Sequence, residues 1–181
     1  DNGIGMTQDE VMENIGTIAN SGTRKYLESL DKNQTQDSNL IGQFGVGFYS
    51  AFIVSNTVTL LSRKAGDDKA NGTKWTSKGK GEYSIESVEL EDYGTTVILD
   101  VKKAESEFID GFRLRGIVSK YSDHITVPIM MIKPSEEDET EIVYETINKA
   151  TAFWMQDKKE LNQSDYDAVS YTHLTLSTSY A

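Results

Sequence analysis

The sequence contains no cysteine and only two prolines and two histidines among 181 residues. Without cysteine the chain forms no disulfide and no thiolate metal site, which is compatible with a cytoplasmic protein. No run approaches the roughly 20 apolar residues that a membrane-spanning helix needs. We therefore expect a cytoplasmic globular protein with no membrane partner.

Basic side chains are also scarce, because 18 Lys and Arg stand against 29 Asp and Glu, a formal net charge of −11. Binding to nucleic acid depends on many Lys and Arg contacts to phosphates, so we expect no nucleic-acid partner. The length is sufficient for one domain with a core and the start of another.

The chain begins with an acid and two alternately placed glycines, Asp1-Asn2-Gly3-Ile4-Gly5-Met6. A carboxylate beside such a turn suits a polar ring edge, since glycine permits both unusual dihedrals and close approach of the backbone to a ligand. The same composition also makes plain turns. This motif alone therefore leaves a nucleotide site and a simple turn open.

A second glycine cluster, Gly42-Gln43-Phe44-Gly45-Val46-Gly47-Phe48, precedes a segment with helical character. Successive amides at a helix N-terminus can face phosphates. The cluster is not a P-loop, because no Gly-Lys-Ser/Thr follows, and the strands downstream do not alternate with helices as in a dinucleotide-binding fold. Together the two clusters predict a nucleotide pocket in which Asp1 accepts a hydrogen bond from an exocyclic amine.

Periodicity predicts helices and strands in separate blocks. Thr7 and Glu10 have the spacing of a capping box, so a helix should follow with an apolar stripe. The stripe comprises Val11, Met12, Ile15, Ile18 and Ala19. Further helices are predicted over 24–30, 48–54 (buried) and 105–121, and a polar loop over 31–39. Strands are predicted over 57–61, 73–77, 83–90 and 95–101 as an antiparallel meander, and over 126–132.

These blocks predict an α+β fold, a two-layer α/β sandwich with a mostly antiparallel sheet and helices on one face. Four groups of residues, 1–6, 14–19, 21–23 and 41–52, carry a resemblance to the N-terminal ATP-binding domain of the Hsp90 chaperones, including bacterial members. The segment 121–125 and Trp154 extend it to about residue 166. The resemblance implies a GHKL (Bergerat) ATPase fold.

The resemblance also implies roles at the base end of an ATP site. Asp1 would bind the adenine amine, with Gly5 and Thr95 completing that polar end through water. Met6 and Phe48 would pack around the nucleotide. The implied ATP-binding residues are Asp1, Gly5, Met6, Asn14, Ser21, Gln43, Gly45, Val46, Gly47, Phe48 and Thr95.

At the phosphate end, the resemblance places Asn14 near the ribose and phosphates and gives residues 43–48 the amides that hold the phosphate tail. Residues 21–43 would form a lid that closes over ATP. The implied domain limits are 1–134 for the ATP-binding domain, 135–141 for an acidic linker and 142–166 for the start of a middle domain. Residues 167–181 are expected not to be native sequence.

The implied function is that of an ATP-dependent chaperone, which binds and hydrolyses ATP with Mg²⁺, acts as a homodimer and folds unfolded or partly folded clients. In the family, the catalytic glutamate and the Mg²⁺-binding asparagine precede the motif that begins here at Asp1. The 181-residue chain should therefore hold no catalytic or metal-binding residue, and it should not hydrolyse ATP alone.

Two other functions use the same first glycine turn. Sensor histidine kinases and the DNA-remodelling ATPases gyrase B and MutL share it but differ in the second glycine cluster, and the acidic charge also argues against them. A nucleotide-binding module without chemistry is the third interpretation.

Overall fold

The computed structural model describes residues 1–16, 45–133 and 143–149, and the chain divides into two compact units, 1–106 and 107–181. The predicted helix over 24–30, the lid over 21–43, the acidic linker and the segment after 149 lie outside the described residues. The predicted domain limits therefore stay predictions.

The first helix, α1, spans Gln8–Asn14 and begins at the predicted capping box. The Thr7 hydroxyl accepts from the Glu10 backbone nitrogen at 3.3 Å, and the Thr7 nitrogen donates to the Glu10 carboxylate at 2.9 Å. These bonds satisfy two of the amides that a helix N-terminus leaves free. Val11 faces the sheet and is fully buried, as the predicted stripe requires. Ile18 and Ala19 lie outside the described residues.

The segment after the second glycine cluster is helical, with a 3₁₀ helix at Gly47–Ser50 followed by α2 at Ala51–Val54. The prediction that it is buried is wrong, because Ile53 is 71% exposed and no residue of either helix is buried. Only one side packs on the sheet, where the rings of Phe48 and Phe52 lie 5.6 and 6.5 Å from that of Trp75.

Four antiparallel strands form the main sheet: β1 at Ser55–Arg63, β2 at Gly72–Ser77, β3 at Tyr83–Val88 and β4 at Gly94–Val101. A 3₁₀ helix at Lys69–Asn71 precedes β2. The strand order is β3-β2-β1-β4. The meander prediction is therefore wrong for β4, which pairs with β1 instead of β3. This order gives β1 and β2, which contain the buried residues of the sheet's core, neighbours on both sides.

The two faces of the sheet differ as the period of two in a strand requires. On the face toward the helices, Val58, Leu60 and Trp75 join Val11 in the buried core. On the other face, polar pairs lie side by side, as in the contact between the Thr59 and Thr76 hydroxyls at 3.4 Å. The α+β sandwich with helices on one face is thereby confirmed for the first unit.

The chain enters the second unit through a 3₁₀ helix at Lys103–Ile109, kinked at Glu105, and then forms α3 at Gly111–Tyr121. The predicted single helix over 105–121 is wrong in this respect, because extended Asp110 caps α3 and accepts from the Phe112 nitrogen at 2.8 Å. Its predicted apolar face is not buried in the described structure, since Phe112 is 85% exposed.

The predicted strand over 126–132 is shorter, because β5 comprises only Met130–Ile132 and pairs antiparallel with β6 at Tyr144–Thr146. Asn148 supports this hairpin by donating to the carbonyls of Ile125 and Val127 at 3.0 and 3.1 Å. None of the helices in the described ranges has the length and apolarity to cross a membrane.

Replacing Leu60, which is 1% exposed, with Ala should lower the free energy of unfolding by about 2–5 kcal/mol, because the change leaves a cavity in the core. The matched control is Leu99→Ala on the neighbouring strand, where the side chain is 37% exposed and the loss should be under about 1.5 kcal/mol. Urea unfolding measures both values. Equal losses would show that the core is not centred on β1.

Candidate functional site

The first glycine turn lies directly against the start of β4. The Asp1 nitrogen donates to the Thr95 carbonyl at 2.7 Å, and the Thr95 nitrogen donates to the Asp1 carbonyl at 3.2 Å. The Asp1 carboxylate also accepts from the Gly3 nitrogen at 2.9 Å. Asp1 and Thr95, two residues expected at the base end of the site, are therefore neighbours.

Two glycines make this close crossing possible. Gly5 has φ +69°, and a Cβ there would lie 1.9 Å from the Arg63 carbonyl oxygen. Gly94 has φ +114°, and a Cβ there would lie 2.3 Å from the Asp1 carbonyl oxygen. Residues other than glycine are therefore excluded at both positions. The close approach that the sequence suggests for a ligand is here made by the backbone of the chain itself.

Ser62, which the sequence analysis did not single out, joins the turn to the sheet. Its hydroxyl oxygen is buried and lies 2.9 Å from the Met6 nitrogen, from the Gly94 carbonyl oxygen and from the Thr95 hydroxyl. The sequence does hold a signal for it. Ser62 continues the alternation of Val58 and Leu60, so a polar residue falls on the buried face of a strand.

Arg63 was also not predicted as a functional residue, and it holds the loop after β1 and the loop before β4. This buried guanidinium donates to the carbonyls of Asp67, Glu91 and Leu90 at 2.7, 2.9 and 3.0 Å. An arginine at the end of a strand normally lies in solvent, so nothing in the sequence pattern indicates this role. Because its donors bind main-chain oxygens, Arg63 holds the start of β4 in place.

An open strip of β4 faces the helices, and we call Thr95, Val97 and Leu99 the helix-side strip. Their partners on β1 are Ser62, Leu60 and Val58, all buried, yet Val97 is 45% exposed and Leu99 is 37% exposed. A cavity of about 520 Å³ covers the apolar end of the strip. It is lined by Gly47, Phe48, Ser50, Ala51, Ile53, Val54, Val97 and Leu99.

The second glycine cluster adjoins the end of α1. The Tyr49 hydroxyl donates to the Ile15 carbonyl at 2.8 Å, and burial raises the pKa of Tyr49. Next to Ile15, the side-chain oxygen of Asn14 is buried and has no hydrogen-bond partner among the described residues. A buried acceptor without a donor costs about 1–3 kcal/mol, so any group that donates to this oxygen would remove that cost.

The remaining residues of the implied site fall into two groups. Met6 and Phe48 both pack on the core cluster, Met6 from the first glycine turn and Phe48 from the second. Gly45 has φ +63°, and Val46 and Gly47 are exposed at the start of the 3₁₀ helix. Their proposed contact with phosphates stays a prediction. Ser21 and Gln43 lie outside the described residues.

A second cavity, of about 580 Å³, is lined by Asp1 and Thr95, which do not line the first, and it involves the opposite face of the sheet, since Leu61 and Thr96 line it. Its lining residues include Asp1, Glu91 and Asp92 and no Lys or Arg, although the Glu91 carboxylate is paired with Lys69. The excess of acidic residues makes this cavity less favourable for a triphosphate. The helix-side strip is therefore the candidate nucleotide site.

An ion pair supports the turn from α1. The Lys64 ammonium binds the Glu10 carboxylate, and this hydrogen bond, followed by that from the Thr7 backbone, lowers the pKa of Glu10. The pair joins the capping box of α1 to the residue after β1. Within the described ranges, His, Asp and Glu form no group of three or more that could hold a metal ion.

Known proteins resemble this chain over most of its length. Residues 1–107 match the family described as "Histidine kinase-, DNA gyrase B-, and HSP90-like ATPase". Over 167 residues the chain is 68% identical to "Chaperone protein HtpG" of Ruthia magnifica subsp. Calyptogena magnifica. It is 57% identical over 171 residues to the protein of that name from Hydrogenovibrio crunogenus, and 51% identical over 175 residues to that from Escherichia coli O1:K1 / APEC.

These alignments take in 92%, 92% and 96% of this chain but only 27%, 27% and 28% of the respective relatives. The chain thus spans about a quarter of the length of the curated relatives it matches. The similarity covers the whole of the first unit and reaches beyond it.

Replacing Gly94 with Ala should destabilise the chain strongly, because a positive φ costs about 1–2 kcal/mol and the contact with the Asp1 carbonyl adds about 1–3 kcal/mol. The control is Gly66→Ala, since Gly66 has φ +89° but its Cβ would meet no atom within 4 Å. Urea unfolding of both variants separates the two costs. If both lose the same free energy, the close crossing at Asp1 is not a constraint.

Proposed function

Since the chain belongs to the family of histidine kinase-, DNA gyrase B- and HSP90-like ATPases, we propose that it binds ATP along the helix-side strip as part of an Hsp90-type chaperone. The observation that carries the proposal is the half-open strip itself. Its apolar side chains are partly exposed beside the buried core, and its polar end adjoins the Asp1 turn.

The base of ATP would occupy the polar end. The Asp1 carboxylate can accept a hydrogen bond from the adenine amine. Thr95 pairs with Ser62 of β1, and its hydroxyl lies on the helix side of the sheet. The flat faces of the ring would cover Val97 and contact Met6 and Phe48, which replaces water over exposed apolar surface. Gly5 contributes by keeping the turn close to β1.

The sugar and phosphates would extend toward α1 and the second glycine cluster. The Asn14 side-chain oxygen, which has no partner among the described residues, would accept from a ribose hydroxyl. Amides over 45–48 would hold the phosphate oxygens, and Ser21 and Gln43 would contribute from a closing lid. Magnesium bound to the phosphates would offset part of their charge; the described residues provide no cluster of carboxylates for it.

The relatives named Chaperone protein HtpG favour a chaperone over a sensor kinase or a DNA-remodelling ATPase. We propose that the protein containing this chain hydrolyses ATP, forms a homodimer in the cytoplasm, responds to stress and folds unfolded or partly folded clients. No observation in the described structure favours the kinase, the gyrase B or MutL type of function, or a module without chemistry.

Asp1→Asn should weaken ATP binding by about 10- to 100-fold, because a hydrogen bond to a charged group contributes about 1.5–3 kcal/mol. The matched control is Asp92→Asn, because Asp92 lines the second cavity together with Asp1 but lies outside the helix-side strip. Isothermal titration calorimetry gives both dissociation constants. Binding along the strip predicts no loss for Asp92→Asn, and an equal loss for the two variants would place the ligand in the second cavity.

The 181-residue chain should bind ATP without hydrolysing it, because the resemblance assigns the general base to a residue that precedes the Asp1 motif. Phosphate release at saturating ATP and Mg²⁺, compared with a blank that lacks protein, measures this. Turnover that copurifies with the chain and is lost in Asp1→Asn would refute the prediction.

A further inference from the structure

The Ser62 hydroxyl lies at the centre of a three-way contact behind the polar end of the helix-side strip. Its oxygen is 2.9 Å from the Met6 nitrogen, from the Gly94 carbonyl oxygen and from the Thr95 hydroxyl oxygen. The residue is fully buried, so water does not compete for these contacts. A serine hydroxyl has one hydrogen to donate and two lone pairs that accept, so three contacts use its whole capacity.

Two of the three contacts have a fixed direction. A backbone N–H only donates, so Met6 must donate to Ser62, and a carbonyl oxygen only accepts, so Ser62 must donate to Gly94. The hydrogen of Ser62 is thereby committed. If Ser62 donated to Thr95 instead, no hydrogen would lie between the Ser62 hydroxyl oxygen and the Gly94 carbonyl oxygen, which are 2.9 Å apart. The buried Gly94 carbonyl would then lose this donor.

The third contact then has only one direction. Thr95 must donate its hydrogen to Ser62, which leaves only lone pairs on the Thr95 hydroxyl for a ligand or a water at this end of the strip. The carboxylate of Asp1, joined to Thr95 by two backbone hydrogen bonds, is an acceptor as well. Both groups call for a partner that donates.

We propose that Ser62 is a positioning residue that fixes the Thr95 hydroxyl as an acceptor and so makes the strip select an amino-bearing base over an oxo-bearing one. The inference rests on the proposed binding of ATP and adds the residue that sets the choice of base. An amine offers hydrogens to both acceptors. A carbonyl in the same place faces lone pairs, as unfavourable as any polar group buried without a partner.

The test compares the dissociation constants of ATP and inosine triphosphate, whose base carries a carbonyl where adenine has its amine. Calorimetry on the 181-residue chain should show a preference for ATP. In Ser62→Ala the Thr95 hydroxyl is free to rotate and donate to the carbonyl. The preference should then fall about five- to tenfold, the value of one hydrogen bond.

Ser77→Ala is the matched control, because Ser77 is also a buried strand serine that bonds to backbone, donating to the Glu82 carbonyl at 2.6 Å and accepting from the Gly79 nitrogen at 3.1 Å. It should lower the melting temperature and leave the preference for ATP unchanged. Ser62→Thr keeps the hydroxyl and should retain the preference. A merely structural role would not separate these variants.

If Ser62→Ala does not fold, Thr95→Val gives the same readout, because it keeps the shape of the side chain and removes the oriented hydroxyl. The proposal is overturned if the unaltered chain prefers ATP and the folded variant keeps that preference, or if Ser77→Ala reduces it equally. A chain that binds neither nucleotide would instead refute the proposed function, and this inference with it.

Discussion

The crossing of the first glycine turn over the junction of β1 and β4 is the constraint on which the candidate site depends. The backbone at Gly5 and Gly94 comes so close to Arg63 and Asp1 that no side chain has room. Buried hydrogen bonds then fix the crossing, through the Ser62 hydroxyl on the helix side. Polar groups inside a protein must be paired, so these bonds favour one conformation of the turn. Other conformations would leave buried polar groups without partners.

The sheet separates two surfaces that lie on either side of this crossing. The helix side offers apolar strand residues, glycine-rich backbone and an amide oxygen with no partner among the described residues, and it suits a nucleotide. The other side has Asp1, Glu91 and Asp92 among its lining residues. Volume alone does not distinguish the two cavities, at about 520 and 580 Å³, whereas charge and the alternation of side chains across the sheet do.

Local signals predict local structure well here. The capping box at Thr7 and the four main strands follow from neighbouring residues, and the resemblance carried by the two glycine clusters leads to the ATPase family. The pairing of β4 with β1 does not follow from local pattern, because order within a sheet is decided by packing between distant segments. The role of Arg63 is not predictable from local pattern for a similar reason. The three carbonyls that accept from its guanidinium come from loops that only the fold brings together.

The partly exposed apolar surface of Val97 and Leu99 has a thermodynamic consequence. Covering such surface removes ordered hydration, so association at the strip should carry a negative change in heat capacity. The enthalpy of association then becomes more favourable as the temperature rises, while the affinity changes much less because entropy compensates. Nucleotide affinity at this strip would vary only modestly with temperature, because the changes in the enthalpy and entropy of binding would largely cancel.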